Sequence, residues 1–238
     1  MAGFGYDAAI VAAFPGVVGG VIHATGLSNH PSTPTLREAF LAEQEEVQAR
    51  LGETPLSEIP SLAAWRRVFS GFGVKPTQYR GAAESLLRRL TKQGDIPSIN
   101  TLVDLANLVS IRHAIPVAVF DQAAVTGATT VRFASGEEPF TDLGSDTVTH
   151  PIEGEVIFVD EAPLVSARRW CWRQSAQSAA GLQTTEALIT VEGHHDSAEL
   201  DVAAAVADIM ALLQTHQPDA RSTHAVLSAA DPRFDFGS

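Results

Sequence analysis

Residues 98–111 read SINTLVDLANLVSI. On a helix, apolar side chains here fall on almost every side, and such a helix is stable only when it is covered nearly all round. A chain that contains it must wrap other elements about it. The stretch is not uniformly apolar, however. Asn100, Asp104 and Asn107 recur at i, i+4 and i+7, so they form one narrow polar stripe. Buried amides and carboxylates need partners. The residues leave two readings open. In one, the stripe ties down neighbouring backbone, with Asn100 capping the helix and Asp104 paired with an arginine such as Arg168. In the other, the stripe faces a wet cavity between helix and sheet.

The rest of the chain supplies the wrapping. Residues 6–27 read as two strands joined near Pro15-Gly16. Residues 35–51 predict a surface helix with a capping box of Thr35 and Glu38, stopped by Gly52. Helices follow at 60–69 and 80–93, the second with Gly94 just past its end and with Ala83, Leu86, Leu87 and Leu90 on one face. The central helix covers 98–113. Beyond it the apolar period changes to two, and strands are expected at 117–121, 129–134, 154–160, 163–174 and 186–192. A last helix spans 198–216, a last strand 223–229, and residues 231–238 read as a loose tail. Helices first and strands later point to an α+β fold. No linker splits the chain, so residues 1–230 read as one domain.

Charge is unevenly placed. The net charge is −12, yet the window from Arg66 to Lys92 holds Arg66, Arg67, Lys75, Arg80, Arg88, Arg89 and Lys92 against a single acid, Glu84. That window carries net +6 and the rest of the chain net −18. Such asymmetry fits a basic surface on an acidic body, suited to phosphate. It fits equally a solvated helix face with no partner. The single cysteine, Cys171, excludes an internal disulfide and a cysteine-rich zinc site, and a reducing cytoplasmic setting follows. The greasy N-terminus is broken by Pro15, Gly16, Gly19 and Gly20 and carries Asp7, so neither a signal peptide nor a membrane span is expected.

Several chemistries leave no trace. There is no GxxxxGK[ST] loop, no GxGxxG after a strand, no HExxH and no GxSxG. The pair in GHHD (193–196) reads as an ordinary polar turn, because adjacent histidines on a strand point apart; no metal and no cofactor are expected. Residues 165–174 are more unusual. As one strand they would set Arg168, Trp170 and Trp172 on one face, and Arg169, Cys171 and Arg173 on the other. Two readings remain: arginine stems laid over tryptophans on a half-covered sheet, or the cationic, aromatic wall of a pocket or RNA groove.

The segment SINTLVDLANLVSIRHAIPVAVFD (98–121) resembles the signature of the B3/B4 domain of the phenylalanyl-tRNA synthetase β subunit. Val103-Asp104, Asn107, Pro116 and Phe120-Asp121 stand in the family's register. The likeness continues through VRFASGEEPFTDLG (131–144), EVIFVDEAPLV (155–165) and TTEALITVE (184–192), covering roughly residues 95–192. The front part, with KPTQYRGAAESLLRRL (75–90), is similar to freestanding B3/B4 proteins. The resemblance implies helices packed on a mixed sheet or sandwich of unusual topology. It also implies an editing site between helix and sheet, where the ester of a misattached amino acid on tRNA is hydrolysed.

Carried over residue by residue, Asn107 matches the pocket asparagine, Pro116 the pocket proline, and Glu192 the glutamate that reads the polar end of the misattached side chain. The family's pocket histidine falls at Ala118, and its threonine beside the asparagine at Ala106. The family's specificity for tyrosine therefore does not carry over intact. The implied site comprises Asn100, Asp104, Asn107, Pro116, Ala118, Arg168, Trp170, Arg173 and Glu192, with Asn107 and Glu192 the candidates for catalysis. The basic window would grip the acceptor end of tRNA or aminoacyl-tRNA. A non-catalytic module holding tRNA or a free amino acid is the alternative. No ATP-binding signature is present, so a complete phenylalanine–tRNA ligase activity is not expected.

Overall fold

A computed structural model describes residues 2–237. In chain order the elements are β1 (Gly3–Tyr6), α1 (Ala8–Ala13), β2 (Val18–Thr25), α2 (Pro34–Leu51), α3 (Pro60–Gly71), α4 (Ala82–Gln93), α5 (Thr101–His113) and β3 (Val117–Asp121). They continue as β4 (Ala128–Phe133), β5 (Phe140–Thr141), β6 (Val148–Thr149), β7 (Val156–Val159), β8 (Val165–Arg168), β9 (Arg173–Gln174), β10 (Glu186–Gly193), α6 (Ala198–His216), β11 (Arg221–Ser228) and β12 (Arg233–Asp235). The fold is α+β, as the order of periodicities predicts.

Three layers result. A four-stranded sheet, β11-β2-β10-β3, lies in the middle, and its neighbouring strands are all antiparallel. Strand alternation gives it two apolar faces. Ile22, Ala24, Val117, Val119, Ala187, Ile189 and Val191 pack under α5 and α6. Val21, Phe120, Leu188 and Leu227 pack the other way, with Phe4, Tyr6, Val131, Val156, Phe158 and Ala167 of a six-stranded sheet, β12-β1-β4-β7-β8-β9. In that second sheet β1 and β4 run parallel, which makes it mixed. Two glycines let the layers close on β2. A methyl at Gly19 would lie 2.1 Å from the Tyr6 hydroxyl, and one at Gly20 would lie 2.4 Å from Val206 of α6.

The central helix is buried as its composition requires, and its polar stripe serves the scaffold. Asn100 is the N-cap and accepts from the Val103 N–H at 3.0 Å. Asp104 is fully buried and accepts from Ser32, Ser98 and the backbone N–H of Ile99. Among the described residues it pairs with no arginine. A carboxylate in the first turn also suits the helix dipole. Asn107 is half-buried, and its side chain makes no hydrogen bond among the described residues.

Four expectations need correction. Residues 8–13 form a helix between β1 and β2, because Asp7 caps it by accepting from Ala9 N–H. The cap of α2 is Thr33, not Thr35, since Pro34 occupies the first helical position and the Thr33 hydroxyl accepts from Leu36 N–H. The tail is not loose: β12 pairs antiparallel with β1 and Phe236 is buried. Residues 163–174 are not one strand. The chain reverses after Arg168, with φ of 46° at Arg169 and 60° at Trp170.

Replacing Asp104 with Ala strands the Ile99 N–H and two hydroxyls. We expect a loss of about 2–3 kcal/mol in denaturant unfolding. Asn107→Ala, measured alongside, shifts stability by less than about 0.5 kcal/mol.

Candidate functional site

The two sheets do not meet along their whole length. Near the end of β10 they enclose a cavity of about 220 Å³. The four-stranded sheet contributes Ala118, Phe120, Thr190 and Glu192, with Pro116 and Val117 at the start of β3. The facing sheet contributes Phe158 and Ala167. The reversal after β8 closes one side with Trp170, Cys171 and Trp172, and Ala82 opens α4 beside it. Arg173, Gln174 and the exposed Leu143 complete the lining. The wall is mostly apolar. A void of about 150 Å³ holds a benzene ring, so this cavity suits one amino-acid side chain.

One ionisable group lies deep in it. Glu192 is 2% exposed. Its Oε1 accepts from the Tyr6 hydroxyl at 2.8 Å and from Trp170 Nε1 at 2.9 Å. Its Oε2 takes no hydrogen bond among the described residues. Burial raises the carboxyl to about 7, against the downward pull of the Trp170 and Tyr6 bonds. The Glu192 backbone is held as well: its carbonyl accepts from Trp65 Nε1 at 3.2 Å, and its N–H donates to the Pro116 carbonyl at 3.3 Å. The Cys171 thiol is pushed well above its ordinary range by burial and then by Glu192, so it is not a ready nucleophile.

The reversal that aims Trp170 is built from cation and ring. The Arg169 guanidinium lies 3.9 Å from the Tyr79 ring centre and 4.5 Å from that of Trp172, and it reaches Glu155 at 2.8 Å. Arg168 also pairs with Glu155, at 2.9 Å, and its guanidinium stands over Phe140. It points to the face of β8 opposite Ala167, away from the cavity. Arg173 stays half-exposed and pairs with Asp142 at 3.2 Å. The next pair of residues, His194 and His195, go separate ways. His194 packs against Trp65 and Trp170, and burial lowers it to about 3, while His195 bonds Asp201 at 2.8 Å.

The structure thus brings together Pro116, Ala118, Trp170, Arg173 and Glu192. It does not bring Asn100, Asp104, Asn107 or Arg168 to them. The cavity lies between two sheets, not between helix and sheet. Helix α5 sits on the opposite face of the four-stranded sheet, so its polar stripe has no path to the cavity. Sequence reasoning missed Tyr6, Thr190 and Gln174, and it named Cys171 and Trp172 only on opposite faces of a supposed strand, not as site residues. Thr190 was legible: in EALITVE it shares strand parity with Glu192, and beyond the leading Glu186 these two are the polar residues of an apolar run. Tyr6 carried no signal, because its link to Glu192 spans most of the chain.

The basic window divides in two. Glu84, buried, takes Arg66 in a two-point bond at 2.9 and 2.6 Å and Arg80 at 3.5 Å, and Arg89 meets Asp95 at 3.5 Å. Arg67, Lys75, Arg88 and Lys92 are exposed and have no ion pair among the described residues. No helix of the described residues is long and apolar enough to cross a membrane.

Comparison with known proteins adds three findings. The family model described as B3/4 domain matches residues 64–205. The phenylalanine–tRNA ligase beta subunit of Shewanella oneidensis is 33% identical over 99 residues, which are 42% of this chain and 12% of that protein. The crystal structure of an N-terminal fragment of the phenylalanyl-tRNA synthetase beta-subunit from Pyrococcus horikoshii superposes on 94% of this chain and 54% of that one, with a TM-score of 0.49 and 10% identity.

Glu192 links the cavity to stability. Its carboxyl titrates near 4.5 when unfolded and about 7 when folded. Its contribution is therefore complete below pH 4.5, declines as pH rises, and is lost above about 7. The expected decline is up to about 3 kcal/mol. Urea unfolding of wild type and Glu192→Gln at pH 4.5 and at about pH 8 isolates it: His194, lowered to about 3 by burial, adds a trend of opposite sign to both proteins, so the Glu192 contribution is the amount by which the wild type loses stability relative to Glu192→Gln as pH rises. Equal slopes in the two proteins would contradict it.

Proposed function

The chain belongs to the B3/4 domain family, and we propose that it acts on aminoacyl-tRNA as an editing deacylase, taking the side chain of a misattached amino acid into the cavity between its sheets. The observation that carries this reading is Glu192. An apolar, side-chain-sized cavity ends in a carboxylate with one oxygen engaged by two donors and the other free. That arrangement suits an apolar or aromatic side chain with a hydrogen-bonding tip. When ionised, the free oxygen accepts from a hydroxyl. When protonated, it donates to an acceptor.

The geometry also separates recognition from chemistry. A side chain filling the cavity keeps the ester near the mouth, away from the buried Glu192, so Glu192 recognises and does not act as base. Asn107, on the far side of the sheet, is withdrawn from the catalytic candidates. Hydrolysis of an activated ester then rests on orienting one water. Its oxygen adds to the ester carbonyl carbon, the bond to the ribose oxygen breaks, and the water proton passes to that ribose oxygen. Holding the reactants in line is the main contribution asked of the protein. Arg173 at the mouth supplies positive charge for the developing oxyanion or the terminal phosphate.

A non-catalytic module that holds an amino acid or an uncharged tRNA in the same way is the second reading. One observation favours it: among the described residues the titratable side chains lining the cavity are Glu192, Cys171 and Arg173, and none is placed as a general base at the mouth.

The test is a panel of tRNAs, each carrying a wrong amino acid, with substoichiometric protein. Deacylation is expected for at least one pairing whose side chain is apolar with a polar tip, with multiple turnovers per protein and with loss of selectivity in Glu192→Gln. If every ester decays only at the rate in buffer while the protein still binds tRNA or free amino acid, the binding module replaces the deacylase. In the same assay tRNA affinity should fall steeply with salt. Arg88→Ala and Lys92→Ala should each reduce the salt slope by about one.

A further inference from the structure

The cavity floor depends on a residue outside the segment that matches the family. Tyr6 lies on β1, ahead of residues 64–205. It is 1% exposed, and its hydroxyl donates to the same Glu192 oxygen that Trp170 Nε1 engages. The last torsion of a glutamate is soft and nearly two-fold. Left alone, the carboxylate plane would swing over a wide range of angles. Two donors converging on one oxygen position, from β1 and from the reversal after β8, fix that plane. A partial rotation would leave a buried phenol and a buried indole N–H unpaired, and each such loss is costly.

Tyr6 is itself fixed. Its backbone pairs with Val131 in the parallel β1–β4 ladder, and its N–H donates to the Pro232 carbonyl at 3.0 Å. Its ring stands edge-on to Phe4 with centres 5.6 Å apart. The hydroxyl occupies the space that a side chain at position 19 would fill, and glycine there leaves it free. We infer that Tyr6 is a positioning residue of the pocket: converging with Trp170 on Oε1, its hydroxyl turns Oε2 of Glu192 into the cavity as the carboxylate oxygen offered to a ligand. This rests on the reading of the cavity as a ligand site. It places part of the site's construction in the N-terminal strand.

The groups that face Glu192 are few. Tyr6 comes from β1, Trp170 and Cys171 from the reversal, and Thr190 from its own strand. Arg173 stands at the mouth, and His194 is packed against Trp170. Burial raises the Glu192 carboxyl while the Trp170 and Tyr6 bonds oppose that rise. Removing the phenol leaves burial less opposed, so the titration midpoint should move further alkaline.

The experiment compares wild type and Tyr6→Phe, labelled with carbon-13 at the glutamate carboxyls, by NMR titration. Binding of p-cresol and of toluene is measured on both, as probes with and without a hydroxyl. The variant should show an alkaline midpoint for Glu192, p-cresol binding about fivefold weaker, and toluene binding unchanged. A folded variant with the wild-type midpoint and wild-type p-cresol affinity overturns the inference. A midpoint that moves while neither protein binds p-cresol sinks the ligand reading and leaves the hold of Tyr6 on the carboxylate standing. Should Tyr6→Phe not fold, the wild type decides: the Tyr6 hydroxyl proton must shift with pH along the Glu192 titration, and a pH-independent hydroxyl signal refutes the bond.

Discussion

A carboxylate enclosed between two β-sheets needs donors, and those donors organise this molecule around residue 192. Burying a charged group without partners costs several kcal/mol. Glu192 finds its partners on three separate segments: Tyr6 on β1, Trp170 in the reversal after β8, and Trp65 on α3, which bonds its backbone carbonyl. The Glu192 N–H adds a fourth tie, to Pro116 ahead of β3. The three indole and phenol bonds join different layers, and the Pro116 bond holds β10 to its neighbour β3, in addition to the apolar packing between the sheets. The gap that remains beside Ala118 and Thr190 is the cavity. Its position follows from the small side chains there and from the carboxylate that cannot be packed over.

The reversal at 169–172 shows how this arrangement is maintained. Two non-glycine residues with positive φ cost on the order of 1–3 kcal/mol each. The Arg169 guanidinium, between Tyr79 and Trp172 and bonded to Glu155, holds the turn against that strain. Without the turn, residue 170 would continue the alternation of β8 and share a face with Arg168, pointing away from the cavity. With it, the indole swings inward, is fully buried and meets Glu192. The arginine-rich stretch is therefore mostly internal framework. Only Arg173 keeps the role of a charged wall.

That distinction explains what was legible in the sequence. Helices α4, α5 and α6 and strands β3 and β10 follow from periodicity and caps, because their burial is governed by local pattern. The stripe on α5 was legible as a need for partners but not as a location. Local spacing places Asn100, Asp104 and Asn107 on one side of a helix, and only topology decides that the middle sheet stands between them and the cavity. The turn at 169–170 was hidden, since alternating polar and aromatic residues read as a strand and nothing at Arg169 or Trp170 announces a positive φ. Glu192 entered through family resemblance, and the structure gives it a physical reason. Tyr6 was invisible because its contact depends on β1 and β10 lying in facing sheets.

The same separation of framework from surface governs the charges. Of the seven basic residues in the window 66–92, Arg66 and Arg80 serve the buried Glu84 and Arg89 turns to Asp95. Glu84 needs them: it is a buried acid on α4, whose first residue lines the cavity. The four free cations are left on α3, on the segment before α4, and along α4 itself. At 1.5 Å per residue, Arg88 lies about 9 Å and Lys92 about 15 Å along the helix from Ala82 at the cavity wall. The remainder of the molecule is strongly acidic. Under the proposed role, a polyanion repelled by the acidic body meets a net positive charge in the window 66–92, and the α4 part of that window begins beside the cavity, so the field favours an approach that brings the end of a nucleic acid toward the mouth.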